Sequence, residues 1–150
     1  SDDIPEPATL THLKDNFTNS CWGQRTTTMV ELPFDVSLGS VVINGRIDAV
    51  FQDDDDHYTV VDWKTGKVPT NEKDRMTKAL QLAVYRIAFQ RIINVQRAEK
   101  GQPPLPLENI RAAFYYVAHD DTLWLDELAD AAELEKLITG LTASTDMEKQ

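Results

Sequence analysis

Two segments of this chain, Val41 to Phe51 and Tyr58 to Thr65, are rich in β-branched and aromatic residues and are joined by Gln52-Asp53-Asp54-Asp55-Asp56-His57. Two such runs separated by a short polar loop read as an antiparallel hairpin. This feature constrains the fold most, because strand register decides which side chains share a face. With the loop centred on Asp55, residues whose numbers sum to 110 oppose one another, so Asp48 faces Asp62. Directly opposed side chains on one face have Cβ atoms about 4.5–5.5 Å apart. Lys64, two residues after Asp62, projects from the same face. Val60, Val61 and Trp63 are apolar, so the group is expected off the open surface. Two carboxylates this close repel unless a cation lies between them. They form a hard oxygen site suited to Mg²⁺, which retains waters and often meets phosphate, and a neighbouring lysine can stabilise phosphate charge or orient a water. Together these residues suit metal-assisted phosphodiester hydrolysis. They also suit a solvated hairpin face on which Lys64 screens two aspartates, and a register shift of one would put the aspartates on opposite faces.

The rest of the chain supplies helices on either side of these strands. Thr9 through Trp22 has helical spacing at Leu10, Leu13, Phe17 and Cys21, with Thr9 or Thr11 as the cap and Gly23 as the stop. Thr26 to Val36 reads as a strand, and Pro33 marks it as an edge or a bulge. Asp74 to about Ala98 is a long helix with apolar positions at Met76, Leu80, Val84, Ile87 and Ala88. Ile110 to Val117 is apolar on both alternating faces, as in a strand covered from both sides. Asp130 to Leu141 closes the chain as a helix, before a polar tail. The order helix, three strands, long helix, strand, helix predicts an α/β fold built on a mixed sheet.

The 150 residues suit one domain. With 25 acidic and 15 basic residues the net charge is −10, which argues against a free-standing nucleic-acid binder but leaves room for an acidic active site on a piece whose partners supply the basic surface. Cys21 is the only cysteine, which excludes a disulfide framework, a zinc–cysteine site or a cysteine-ligated cluster within the chain and makes a reducing, cytoplasmic setting the default. No apolar run reaches the roughly 20 residues of a membrane span, and the acidic start does not read as a signal peptide. The missing initiator Met suggests a processed chain or an excised piece. The loop Asp53 to Asp56 lacks the spaced ligands, Gly and terminal Glu of an EF-hand and reads as a solvated turn. Trp22, Trp63 and Trp124 read as packing residues, since no basic cluster surrounds them.

Gly45-Arg46-Ile47-Asp48, then Val61-Asp62-Trp63-Lys64-Thr65-Gly66, then Gln81-Leu82-Ala83-Val84-Tyr85 follow the order G-R-I-D, D-W-K-T-G, Q-L-x-x-Y. This resembles a PD-(D/E)XK nuclease of the RecB-like branch, above all the nuclease domains of UvrD-like helicase–nucleases of the AdnAB type. The likeness extends through Glu31-Leu32-Pro33-Phe34 and Ala112 to Val117, and so covers most of residues 10–140. It implies a restriction-endonuclease-like mixed β-sheet flanked by helices. It also implies Mg²⁺ or Mn²⁺ held by Asp48, Asp62 and the backbone carbonyl of Trp63, with Lys64 as the catalytic lysine. Gln81 and Tyr85, four apart on one helix face, would line the site, although ordinary helix surface is the plainer reading of that spacing alone. Arg46 could contact phosphate or form a rim salt bridge. Glu31 could correspond to an acidic residue that some members place near the metal, or be a strand-surface glutamate. The family's metal-binding His sits on a helix near the domain start. His12 lacks the surrounding pattern, and His57 and His119 read as surface residues. The resemblance therefore implies that residues 1–150 are a truncated nuclease domain, without the His-bearing helix, of a larger helicase–nuclease polypeptide. The expected partners are DNA single strands delivered by the motor, the helicase domains of the same polypeptide and a second helicase–nuclease subunit, with no membrane. The rival reading is a non-catalytic DNA- or partner-binding module of the same fold.

Overall fold

A computed structural model describes residues 7–125 and 127–148. In chain order the elements are α1 (Pro7–Asn19), β1 (Met29–Leu38), β2 (Val41–Asp54), β3 (His57–Lys64), α2 (Glu72–Glu99), β4 (Ile110–Tyr116), β5 (Asp121–Trp124) and α3 (Ala131–Glu148). The strands form one sheet in the order β1-β2-β3-β4-β5. β3 and β4 are parallel and all other neighbours antiparallel, so the sheet is mixed as expected. The parallel pair requires a crossover, and α2 supplies it.

The sheet is covered on both faces. On one side α2 sets Leu82, Ile87 and Phe89 against Val36, Leu38, Val50, Val60 and Phe114, and α3 packs beside α2 and β1. On the other side Leu13 and Phe17 of α1 join Trp22, Ala49, Phe51, Val61 and Tyr115. β3 and β4 lie inside the sheet, which is why both alternating sets of β4, Arg111 excepted, are apolar and buried. Pro33 sits on the edge strand β1, where a missing N–H removes no rung from a sheet interior.

Several boundaries differ from the sequence reading. α1 begins at Pro7, so Thr9 and Thr11 lie within it rather than capping it. Its end is made by Ser20, whose hydroxyl donates to the Phe17 carbonyl at 2.6 Å and accepts from Gly23 N at 3.1 Å. A Cβ on Gly23 would collide with that same carbonyl oxygen, so glycine is required there. α2 begins at Glu72, capped by Asn71 rather than at Asp74. Met76 and Leu80 are exposed, not core, because the sheet-facing side of the first turns of α2 carries polar residues. β5 is an added strand of only four residues, too short to show a period. It is set by a left-handed turn at Asp120, whose carboxylate accepts from Tyr115 Oη at 2.6 Å, and by Trp22 Nε1 donating to Thr122 Oγ1 at 3.0 Å.

Candidate active site

The β2–β3 register is Ala49 with Val61, Val50 with Val60 and Phe51 with Thr59, which makes Asp48 and Asp62 the next pair. No backbone rung forms there. The N–H of Trp63 instead donates to Asp48 Oδ2 at 2.8 Å, so the Asp48 carboxylate stands in for the β2 main chain. In an extended strand the N–H and C=O of one residue point to the same edge, and the Trp63 carbonyl therefore also projects toward the β2 side, where Asp48 lies.

Alternation along β2 explains how Asp48 gets there. Ile47 and Val50 both join the α2-side core, whereas Ala49 joins the α1-side core. Strict alternation cannot place residues 47 and 50 on one face, so the strand changes phase between them. β1 changes phase at the matching place. Met29 and Leu32 both pack on the α2 side, and Glu31 between them has φ 47°, a left-handed conformation rarely adopted by a non-glycine residue.

Asp62 and Lys64 face α2 with only 5% exposure each. Lys64 Nζ lies 3.0 Å from Asp62 Oδ2. That contact is an ion pair without hydrogen-bond geometry, since the fully buried Oδ2 accepts no hydrogen bond. Burial pushes the Asp62 carboxyl up to about 7. The hydrogen-bonding contact with Asp48 and the Asp48 charge push the same way, and Lys64 opposes them. Near neutral pH this burial favours the protonated form of the Asp62 carboxyl. Phe114 is the buried neighbour of Asp62 on β4. The Lys64 ammonium is 5.2 Å from its ring centroid and that of Lys78, from α2, is 5.9 Å away.

Gln81 and Tyr85 also reach this place. Gln81 Nε2 donates to the Tyr85 hydroxyl at 3.0 Å, which leaves the phenol its own proton to donate. Burial raises the Tyr85 pKa, and the charges of Asp62 and Asp48 raise it further, as expected of a phenol facing both carboxylates. The ring is propped by Phe34, edge-to-face at 5.7 Å. Phe34 fits because residue 45 is glycine: a Cβ there would lie 2.5 Å from Phe34 Cζ. Gly45→Ala is therefore expected to displace Phe34 and Tyr85 together and to cost about 1–3 kcal/mol of stability. Urea unfolding midpoints check this, and an unchanged midpoint would show that the ring moves freely.

Other sequence candidates do not join the group. Arg46 is exposed and alternates with Gly45 and Ile47, so it projects from the sheet face opposite Asp62, and among the described residues it forms no ion pair. Glu31 is level with Asp48 in the β1–β2 register and exposed. Among the described residues no group of three or more His, Cys, Asp or Glu gathers around a common point. His12 is exposed on α1, the helix on the opposite face, within 3.3 Å of the Asn16 amide. His57 contacts Asp54 at 2.7 Å in the hairpin turn. The acidic loop is a structured turn: Asp53 accepts from Arg25 at 2.9 Å and from Thr59 at 2.6 Å, and Asp54 accepts from the Asp56 N–H at 2.9 Å. Trp22 packs against Phe51 and Trp124, as expected of a packing residue.

The donor set fits a divalent cation. Two carboxylates in contact, one with a buried oxygen free of hydrogen bonds, and an adjacent carbonyl provide hard oxygen ligands, and the remaining positions suit water or phosphate, as Mg²⁺ prefers.

Curated proteins show no significant match to this chain. A family model, PD-(D/E)XK nuclease superfamily, matches residues 8–147 and so spans the elements from α1 to α3 but for the first residue of α1 and the last of α3. With the mixed five-stranded sheet between helices and the Asp48, Asp62 and Lys64 group at its centre, the chain belongs to the PD-(D/E)XK nuclease superfamily.

Proposed function

We propose that this nuclease domain hydrolyses DNA phosphodiesters with Mg²⁺ or Mn²⁺, within a RecB-like helicase–nuclease that processes double-strand breaks for recombination and repair. The observation that carries the reading is the half-buried Asp48 beside the buried Asp62, whose carboxylate lies 3.0 Å from Lys64. A structural sheet interior gains nothing from two touching carboxylates, whereas a cation relieves their repulsion. Asp48, Asp62 and the Trp63 carbonyl would hold the ion, which supplies Lewis-acid stabilisation of phosphate charge and a more acidic bound water. Asp48 is kept in place by the Trp63 N–H. Lys64 sits where its ammonium can oppose charge developing on the phosphate and orient the attacking water. Tyr85, oriented by Gln81, presents a hydroxyl proton toward the same place.

Single-stranded DNA is the proposed substrate. The chain contains no G-x-x-x-x-G-K-[ST] loop, so ATP-driven unwinding would come from helicase domains of the same polypeptide, with a second helicase–nuclease subunit in a cytoplasmic complex. Two carboxylates and a carbonyl leave several of the ion's positions to water, so metal binding by this chain alone is expected to be weak. The test is a Mn²⁺ titration followed calorimetrically, with cleavage of single-stranded DNA read in parallel, on this chain and on the parent polypeptide. Asp62→Ala in the parent should abolish cleavage and spare unwinding. A second reading, a non-catalytic module of the same fold, is favoured by the lack of a third gathered carboxylate or histidine among the described residues. It expects DNA binding without cleavage and no effect of Asp62→Ala.

A further inference from the structure

We infer that Lys78 holds a backbone phosphate of the bound strand beside the acidic pair, an assignment that rests on the nuclease reading above. Lys78 lies three residues before Gln81 and seven before Tyr85, so all three share one face of α2. That face looks onto the site, because Tyr85 feels the charges of both Asp62 and Asp48. The Lys78 ammonium is 5.9 Å from the Phe114 ring centroid, and the ring that it covers is also covered by Lys64 at 5.2 Å. Phe114 is the β4 neighbour of Asp62. Two cations thus converge on one buried ring at the edge of the carboxylate pair.

The two lysines differ in their counter-charges. Lys64 is paired with Asp62. The natural helix partner of Lys78 is Asp74, one turn earlier, but Asp74 is committed to the start of α2. Its Oδ2 accepts from Asn71 Nδ2 at 3.0 Å and its N–H donates to Asn71 Oδ1 at 2.9 Å. Among the described residues Lys78 forms no ion pair. A half-buried lysine whose ammonium shares the Phe114 ring with a second cation, in a chain of net charge −10, lacks an anion that the protein could readily have supplied. A phosphodiester oxygen has the right charge and hydrogen-bonding capacity. It would also meet a need of the chain, whose overall charge repels DNA and whose Arg46 points away from the site.

The competing explanation is that the lysine stem only covers Phe114. Lys78→Met keeps that cover and removes the charge, which separates the two. Binding of a fluorescent single-stranded oligonucleotide and its cleavage with Mn²⁺ are measured on the full chain between about 50 and 200 mM salt. One phosphate contact on a single strand contributes about 0.7 to the slope of log affinity against log salt. Lys78→Met should flatten that slope by about 0.7 and raise Kd and KM about fivefold at low salt, with a smaller fall in kcat and an unchanged unfolding midpoint. Lys78→Arg should restore the slope. Lys100→Met makes the same change of net charge about 33 Å away along α2 and should leave slope and KM as in wild type. A wild-type slope in Lys78→Met, with or without a lowered midpoint, overturns the assignment and reduces Lys78 to a cover for Phe114. Equal effects of Lys78→Met and Lys100→Met overturn it in favour of net charge. If wild-type chain and parent polypeptide neither bind nor cut the strand, the nuclease reading falls, and this assignment with it.

Discussion

Asp62→Asn should lower DNA cleavage by about a thousandfold or more and, in the metal-free domain, raise stability. The first effect follows from removing a charged ligand. A bound cation supplies several kcal/mol of transition-state charge stabilisation, and each 1.36 kcal/mol is tenfold in rate. The second effect follows from the site's geometry. Asp62 is buried against Asp48, and burial and that neighbour both oppose its ionisation. An asparagine of the same shape can donate its amide to Asp48 and offer its oxygen to Lys64, which removes the like-charge contact. Loss of activity together with gain of stability is the mark of a site kept strained for function. A cleavage assay with Mn²⁺ and thermal unfolding in chelator measure the two. Retained cleavage would remove Asp62 from the reaction, and a lowered unfolding temperature would show that the pair stabilises the fold without a metal.

The same carboxyl makes the stability of the metal-free domain depend on pH in a direction unusual for an aspartate. Its folded pKa is raised to about 7 from the ordinary 3.8. Between those values the folded state binds more protons than the unfolded state, so stability falls as pH rises. The contribution is complete below the unfolded value and is lost as pH passes through about 7. Each pH step of one across that window removes at most about 1.4 kcal/mol, and each kcal/mol moves the unfolding temperature of a domain of this size by about 2–4 °C. That temperature should therefore drop by several degrees between pH 5 and 8. Asp62→Asn should lose this part of the dependence, so the difference between the two proteins isolates it. Mn²⁺ needs the deprotonated pair. It should therefore bind more tightly at pH 8 than at pH 6, release protons on binding, and recover most of the lost stability. Parallel pH curves for wild type and Asp62→Asn would show that the carboxyl is not perturbed.

How much of this was legible beforehand differs by element. The hairpin was, because two β-rich runs about a loop centred on Asp55 pair residues whose numbers sum to 110, and the observed pairs Ala49–Val61 to Gln52–Tyr58 obey it. α2 was legible as a helix and misread at one end. Met76 and Leu80 have the right spacing for a core face, yet Lys78, Gln81 and Tyr85 share the turned-in side. Periodicity marks apolar faces and is blind to a polar face turned inward.

The sequence by itself determined most of the local structure and the chemistry of the candidate site groups. Strand and helix periods, the edge proline and the ordered motifs are properties of neighbouring residues, and side-chain chemistry needs no fold to be read. The tertiary structure alone decided which groups meet. The phase change between Ile47 and Val50 turns Asp48 toward Asp62 and leaves Arg46 on the other face. The crossover of α2 brings Tyr85 and Lys78 over β3 and β4. α1 docks on the opposite face and carries His12 away. β5 exists because Asp120 turns the chain back and Trp22 holds Thr122. Each of these rests on contacts between residues far apart in the chain, and their energies come from burial and charge in a three-dimensional setting that no local window contains.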